Sequence, residues 1–405
     1  MPEKSQIPPR LKLVLAVMFC TLPSLCEARA ILWGQMQGFT GKALRDGLDF
    51  WAGGFLLLHH QLPLLFDHMA YQSFLQGLYG KLPYHLWSYP PSYALIAAAF
   101  GWLAPWHAVL AFDAVTLLLL ALVLRLAGKS WWLIAALALA PASLESMLEH
   151  QNAALMTALI GGGLLLTQAR PRLGGALIGL ATIKPQLGLV LPLYLLRRAP
   201  IAFMYAVLAA VVLAAASLWA FGPAAWQGFI NFTSPAMSSV LLTGQPPEFA
   251  GGLISVFALA KPYAGVQGAL IVQAVVSVLA VLLGLKTRSV PALLILSALA
   301  SPYLHDYDLL GAALAVALLM EQRLATGFLP GEGVLFGLVW AGPGLLPWVP
   351  QYAHAAPLLL VLLLASAWRR GGVAPCDSSP AQPGSPVSSA GRSPTPAPPE
   401  STAPG

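Results

Sequence analysis

The chain has 405 residues, of which 58% are hydrophobic and 9% charged, against roughly 25% charged in a soluble domain. That composition excludes a water-soluble core and leaves an all-α polytopic integral membrane protein. The formal charge of +6 does not mark a nucleic-acid surface, because the Lys and Arg fall in twos and threes between apolar segments, the positive-inside pattern of membrane topology.

Lys4, Arg10 and Lys12 precede a first apolar run over residues 13–33, in which Ala28-Arg29-Ala30 imitates a signal-peptide cleavage site. Hydrophobicity resumes at "AILW", so the run reads as a retained span, with cleavage after Ala30 the alternative. With those cations in the cytoplasm, residues 34–88 form a first external loop carrying short interfacial helices. Further apolar segments lie near 92–104, 107–124, 131–148, 150–167, 173–196, 201–221, 252–285, 290–319 and 326–367. Basic residues punctuate them at Arg125/Lys129, Arg170/Arg172, Arg197/Arg198, Lys286/Arg288, Arg323 and Arg369/Arg370. If all of these are cytoplasmic, the parity of crossings fails between 88 and 125. Either 92–104 dips into the membrane without crossing, or one basic pair lies outside. Both solutions make 222–250 a second external loop, and roughly 11–13 spanning or half-spanning helices are expected. Residues 371–405, rich in Pro, Ser, Ala and Gly, read as a disordered cytoplasmic tail.

The informative residues are the polar ones placed where lipid penalises them. In "RDGLDFWAGG" (45–54), Asp49 is either the N-cap of an interfacial helix or a functional carboxylate, and Ala-Gly-Gly permits close approach of a helix or ligand. "SYPPS" (88–92) stiffens the re-entry into the membrane. In "LESMLEHQN" (144–152), Glu149, His150, Gln151 and Asn152 suit either sugar hydroxyls or helix–helix hydrogen bonds. Lys184 in "TIKPQ" (182–186) either snorkels or binds an anion such as a lipid phosphate. "SPYLHDYDLL" (301–310) predicts a turn between two shortish helices at Ser301-Pro302. Its His305, Asp306, Tyr307 and Asp308 are either a paired polar network or a functional cluster. Asp113, apparently inside a span, needs a basic partner that the sequence does not name. His59, His60, His68 and His85 lack a metal-helix spacing, and Cys20, Cys26 and Cys376 offer neither a disulfide framework nor a zinc pattern. No metal or other cofactor is expected, and nucleotide-binding and nucleophile-elbow motifs are absent.

In order, "DFWAGG", "LPLLFD", "YPPSYALI", "HQNAALMTAL", "GGALIGLATIKPQLGLVLPLYLLRR" and "SPYLHDYDLL" resemble glycosyltransferase family 87, whose best-known members are polyprenol-phosphate-mannose-dependent mannosyltransferases of the GT-C fold. The likeness covers about residues 13–320. It implies a GT-C-like membrane domain over residues 1–370 that moves a hexose, mannose in those relatives, from a polyprenyl-phosphate-linked donor to a lipid or glycan acceptor. It implies further a bacterial cytoplasmic membrane, with the site facing the periplasm or exterior. A carboxylate of the first external loop acts as general base in proteins of this fold; Asp49 falls on that motif, with Asp46 its near rival. The candidates for the donor phosphate are Lys184 and His305, with Arg45 a weaker third, and Asp306, Asp308, Gln151, Asn152 and Tyr89 complete the expected substrate-binding set. The alternative is a transporter or flippase of a lipid-linked sugar using the same polar groups as a path.

Overall fold

The computed structural model describes residues 21–26, 28, 29, 44–245 and 252–369. Most of the expected first span, residues 34–43, Cys20, Cys376 and the 371–405 tail lie outside the described residues. The protein is all-α, and its one β-type pairing among the described residues is an isolated antiparallel bridge between Leu253 and His305. Among the described residues, five helices are long and apolar enough to cross a membrane: Pro105–Leu126, Pro200–Thr243, Val256–Gly284, Tyr307–Thr326 and Tyr352–Arg369. A sixth span is available if Trp131–Ala138 and Pro141–Leu148, bent by 49°, count as one. With the shorter apolar helices, the described residues fall within the expected range of spanning and half-spanning segments.

After the helical residues 21–26, 28 and 29 come α1 (Gly47–Leu58), α2 (Leu62–Phe66) and α3 (His68–Tyr79), the last capped by Asp67, which accepts from the Met69 and Ala70 N–H groups at 3.1 and 3.0 Å. An extended stretch then leads to α4 (Pro91–Phe100), α5 (Pro105–Leu126), α6 (Trp131–Ala138) and α7 (Pro141–Leu148). Proline stands first in three of these four helices, where its missing N–H loses no bond and its fixed φ suits the helical turn. That accounts for Pro90-Pro91: Pro90 is extended at the N-cap and Pro91 opens α4. The paired glycines of α1 admit a helix. A Cβ on Gly54 would lie 2.2 Å from the Ala97 carbonyl oxygen, and one on Gly53 would lie 2.2 Å from the Trp87 ring.

α8 (Ala153–Leu166) contains a π-helical turn at Thr157–Gly162 and is followed by α9 (Pro171–Leu180). The expected continuous span over 173–196 is instead broken. A 3-10 turn follows α9, Lys184 leaves helical geometry at φ −137° and ψ 69°, and α10 (Leu191–Arg198) begins anew. The cause is Pro185, which disfavours helical geometry in the residue before it. α11 (Pro200–Gly228) lies against α9 through a Gly-x-x-x-Gly face, where Cβ atoms on Gly175 and Gly179 would each come within 2.1 Å of a carbonyl oxygen, of Ala202 and Ala206 respectively. The sequence reading made 222–250 a loop. The chain is instead helical from Pro223 to Thr243, redirected at Gly222 (φ 71°), through a π turn into α12 (Ser234–Thr243).

α13 (Val256–Gly284) is divided at Gly265 (φ 66°), and the Phe257 N–H donates to Gln273 Oε1 at 2.9 Å, so its first part folds back along its second. α14 (Val290–Ala300) is 11 residues long, about 16 Å, and ends inside the protein. The carbonyls left over at its end are met by Gln273 Nε2, at 3.1 Å from Leu299 O and 3.2 Å from Ala300 O, and by Ser277 Oγ, at 2.8 Å from Ala300 O. The predicted turn at Ser301-Pro302 follows, then α15 (Leu310–Thr326), α16 (Glu332–Leu345) and α17 (Tyr352–Arg369).

Candidate functional site

Two strips of chain face each other across a cavity of about 700 Å³, one around the start of α1 and the other around the Lys184 break and the 301–309 turn. At the start of α1, Asp46 occupies the N-cap position but makes no side-chain cap bond, and Asp49 lies inside the first turn. Asp49 is therefore not the N-cap, one of the two roles its sequence context left open. Both its oxygens are engaged elsewhere: Oδ1 accepts from the Tyr71 hydroxyl at 2.8 Å and Oδ2 pairs with His85 Nδ1 at 2.9 Å. Burial opposes a charge on the His85 ring, but the Asp49 carboxylate prevails and raises its pKa. Asp49 is 4% exposed and stands in the wall behind the cavity; Asp46 is on its surface.

The Glu149–Asn152 segment joins α7 to α8, with His150 at φ 52°. That turn sends successive side chains to different partners. Glu149 pairs with Arg45. His150 Nδ1 lies 2.8 Å from Asp113 Oδ2 and is the basic partner the sequence did not name. Gln151 donates from Nε2 to Asp46 Oδ2 at 2.6 Å and accepts from the Tyr89 hydroxyl at 2.9 Å. Asn152 is fully buried beside Tyr93. Of the four, Glu149 and Gln151 line the cavity and His150 and Asn152 do not. Asp46 Oδ1 has no hydrogen-bond partner among the described residues, so one oxygen of this carboxylate is held and the other is open. Burial and the neighbouring Asp49 raise its pKa above the ordinary value.

Across the cavity, Lys184 projects from the break before Pro185. Its Nζ lies 2.6 Å from Asp308 Oδ1 and 5.0 Å from the centre of the Tyr307 ring. Asp308 Oδ2 accepts from the His305 main-chain N–H at 3.2 Å, and the His305 ring stacks on Tyr307 with centroids 5.1 Å apart and planes 6° from parallel. Burial pushes the His305 imidazole down to about 4, with Lys184 adding to the effect against the pull of Asp308, so the ring is neutral near pH 7. Asp306 accepts from the Tyr307 N–H at 2.8 Å.

Of the residues expected from sequence, Asp46, Tyr89, Gln151, Lys184, His305 and Asp306 line the cavity. Arg45 and Asp308 act on it through their partners Glu149 and Lys184, while Asp49 and Asn152 do not line it. Sequence reasoning missed Phe229, Met237 and Leu241, which line the cavity with Ser234 and Ser238 from the α11–α12 region, and Leu346, Pro347 and Pro350 after α16. The first three lie in a stretch read as loop, and the last three carry no polar signal. The cavity thus combines carboxylate, amide, phenol, ammonium and imidazole groups with hydrocarbon in its lining. Such a container suits an amphiphile with a polyhydroxylated head.

The model of glycosyltransferase family 87 matches residues 87–320. That stretch contains Tyr89, Gln151, Lys184 and the 301–309 turn, and begins after Asp46 and Asp49. No curated protein and no solved structure matches the chain.

Proposed function

The chain belongs to glycosyltransferase family 87, and from that premise we propose that it transfers a hexose, mannose by the sequence resemblance, from a polyprenyl-phosphate-linked donor to a lipid or glycan acceptor. The reaction takes place in the cavity, at the outer face of a bacterial cytoplasmic membrane. The observation that carries this reading is a cavity lined both by charged and hydrogen-bonding groups and by hydrocarbon, a composition suited to a sugar head on a lipid chain.

Asp46 is the base in this reading. The acceptor hydroxyl oxygen attacks the anomeric carbon, its proton passes to the open oxygen of Asp46, and the bond from the anomeric carbon to the phosphate oxygen breaks. The bonding electrons leave with the polyprenyl phosphate, giving inversion at that carbon. The raised pKa of Asp46 makes it a better proton acceptor than an ordinary carboxylate. Lys184 stabilises the leaving phosphate, sharing its charge between that anion and Asp308, and neutral His305 offers a ring N–H. Asp49, Tyr71 and His85 hold the start of α1 from behind.

Purified protein in detergent, given radiolabelled polyprenyl-phosphate-mannose and a total membrane-lipid extract, should move label into a second lipid. Transport needs a sealed membrane and transfer does not. Asp46→Asn should stay folded and lose roughly a hundred- to ten-thousandfold in rate. Label that stays on the donor overturns the transferase reading, and an Asp46→Asn protein as fast as the parent moves the base to Asp49, the residue singled out by the resemblance.

A further inference from the structure

A base in a buried site must be both aimed and ionised, and Asp46 is in a poor position to be either unaided. Its own helix gives it no capping bond, and burial and Asp49 both work against its charge. We propose that Gln151 is the positioning residue for Asp46: its amide turns the carboxylate toward the cavity and holds it ionised, while the Tyr89 hydroxyl keeps that amide the right way round. This rests on the reading of Asp46 as base.

A carboxylamide has nearly the same shape after a half-turn, but only one orientation presents N–H to a carboxylate; the other sets oxygen against oxygen. Tyr89 decides between them. Its O–H meets Gln151 Oε1 at 2.9 Å, and burial, with Tyr93 and Asp46 nearby, raises its pKa well above the ordinary value, so it remains a donor throughout the working range. The Gln151 main chain is pinned as well. Its N–H donates to Ser146 O at 2.7 Å, its carbonyl accepts from Ser146 Oγ at 3.0 Å, and the preceding His150 is anchored on Asp113. The amide therefore approaches Asp46 from a fixed backbone, and the bond at 2.6 Å leaves the other carboxylate oxygen to the cavity.

The charged and titratable groups facing Asp46 come from several elements. Arg45 and Asp49 are on its own segment, and Arg45 is shared with Glu149 from the α7–α8 turn. His85 comes from the stretch before α4, and Tyr303 and Tyr307 from the turn before α15. Among the groups that favour the ionised form, the Gln151 hydrogen bond outweighs His85 and Arg45. Removing it should leave Asp46 protonated to a higher pH.

The test is the pH dependence of transfer by the full chain in detergent, with radiolabelled polyprenyl-phosphate-mannose and membrane-lipid extract as probes. Gln151→Met, which keeps the side chain's length and loses the amide, should move the acid limb of kcat upward by about one pH unit or more. It should lower kcat at neutral pH far more than it changes the donor KM, and recover toward the parent rate as pH rises. Tyr89→Phe should shift the limb the same way by less. A merely structural amide would lower the rate evenly and leave the limb in place. An unmoved limb in Gln151→Met, with Asp46→Asn inactive at every pH, overturns the positioning role. If Gln151→Met does not fold, an unmoved limb in Tyr89→Phe overturns it. An active Asp46→Asn protein would instead remove the base reading itself, so the two failures are distinguishable.

Discussion

Asp308, just before α15, holds Lys184, and in the last turn of the same helix Arg323 holds Glu332, roughly 22 Å further along. Both pairs are buried, but only the second has a carboxylate with two donors on each oxygen. Arg323 Nε reaches both oxygens of Glu332, at 3.1 and 3.0 Å, and its NH2 group reaches Ser366 O at 3.1 Å. Glu332 also accepts from Ser366 Oγ at 2.6 Å and from the Leu329 N–H at 2.8 Å. That end joins α15, α16 and α17 and does not line the cavity. Lys184 has three N–H donors, gives one to Asp308 and borders the cavity. A buried ion pair tied into three helices away from the cavity fastens them together, whereas one whose ammonium has donors left over beside a cavity can accept an anion.

Exchange of each cation for an apolar chain sets the two ends apart most sharply. Lys184→Met should lower transfer roughly a hundred- to thousandfold and weaken donor binding. It also strands the Asp308 charge, so Lys184→Met/Asp308→Leu should recover thermal stability without recovering transfer. A paired variant that transfers normally would make Lys184 another fastening. At the far end, Arg323→Met should destabilise the protein by about 3–5 kcal/mol, because Glu332 is left buried and unpaired. Transfer per folded molecule should hardly change. Thermal unfolding in detergent, run beside the transfer assay, checks both, and a large loss of specific activity in folded Arg323→Met would erase the contrast.

Acid distinguishes the ends next. His305 titrates at about 4 when folded and at 6.5 by its ordinary value, so between these pH values the unfolded chain binds more protons. Its contribution to stability is complete above pH 6.5 and is lost as pH falls toward 4, on the order of 3 kcal/mol. His305→Asn should flatten that fall, as read by melting temperature against pH; an unchanged slope would mean that the ring is not the group responsible. The smallest effect is expected from Ser366→Ala, which removes one of several partners of Glu332 and should destabilise by about 1 kcal/mol without altering transfer.

Much of the fold was legible because its signals are local. Pro90-Pro91 starts α4, the glycines after Trp51 admit a neighbour, and Ser301-Pro302 turns between α14 and α15. The stretch after 221, expected to be an external loop, is helical to Thr243, because Gly222 redirects the helix without ending it. The site was half legible. Glu149, Gln151, Lys184 and His305 stood out as polar groups in apolar surroundings, but their partners lie far away in sequence: Lys184 meets Asp308 across 124 residues and Gln151 meets Asp46 across 105. Asp46 and Asp49 are three residues apart and alike in chemistry. What separates them is the enclosure of Asp49 by Tyr71 and His85, a property of tertiary packing that no local pattern carries.

The Gln273 cap on α14 bears on how the chain is put together in its membrane. A helix of 11 residues cannot cross a hydrocarbon layer, and with its last carbonyls unmet it would be unstable there. The groups that meet them belong to α13, which precedes α14 in the chain and leaves the ribosome first. Biogenesis therefore has an order written into it: α14 gains a stable place only after α13 is seated, and a Gln273→Leu chain should stall at that step, exposing the 290–309 region to proteases during synthesis.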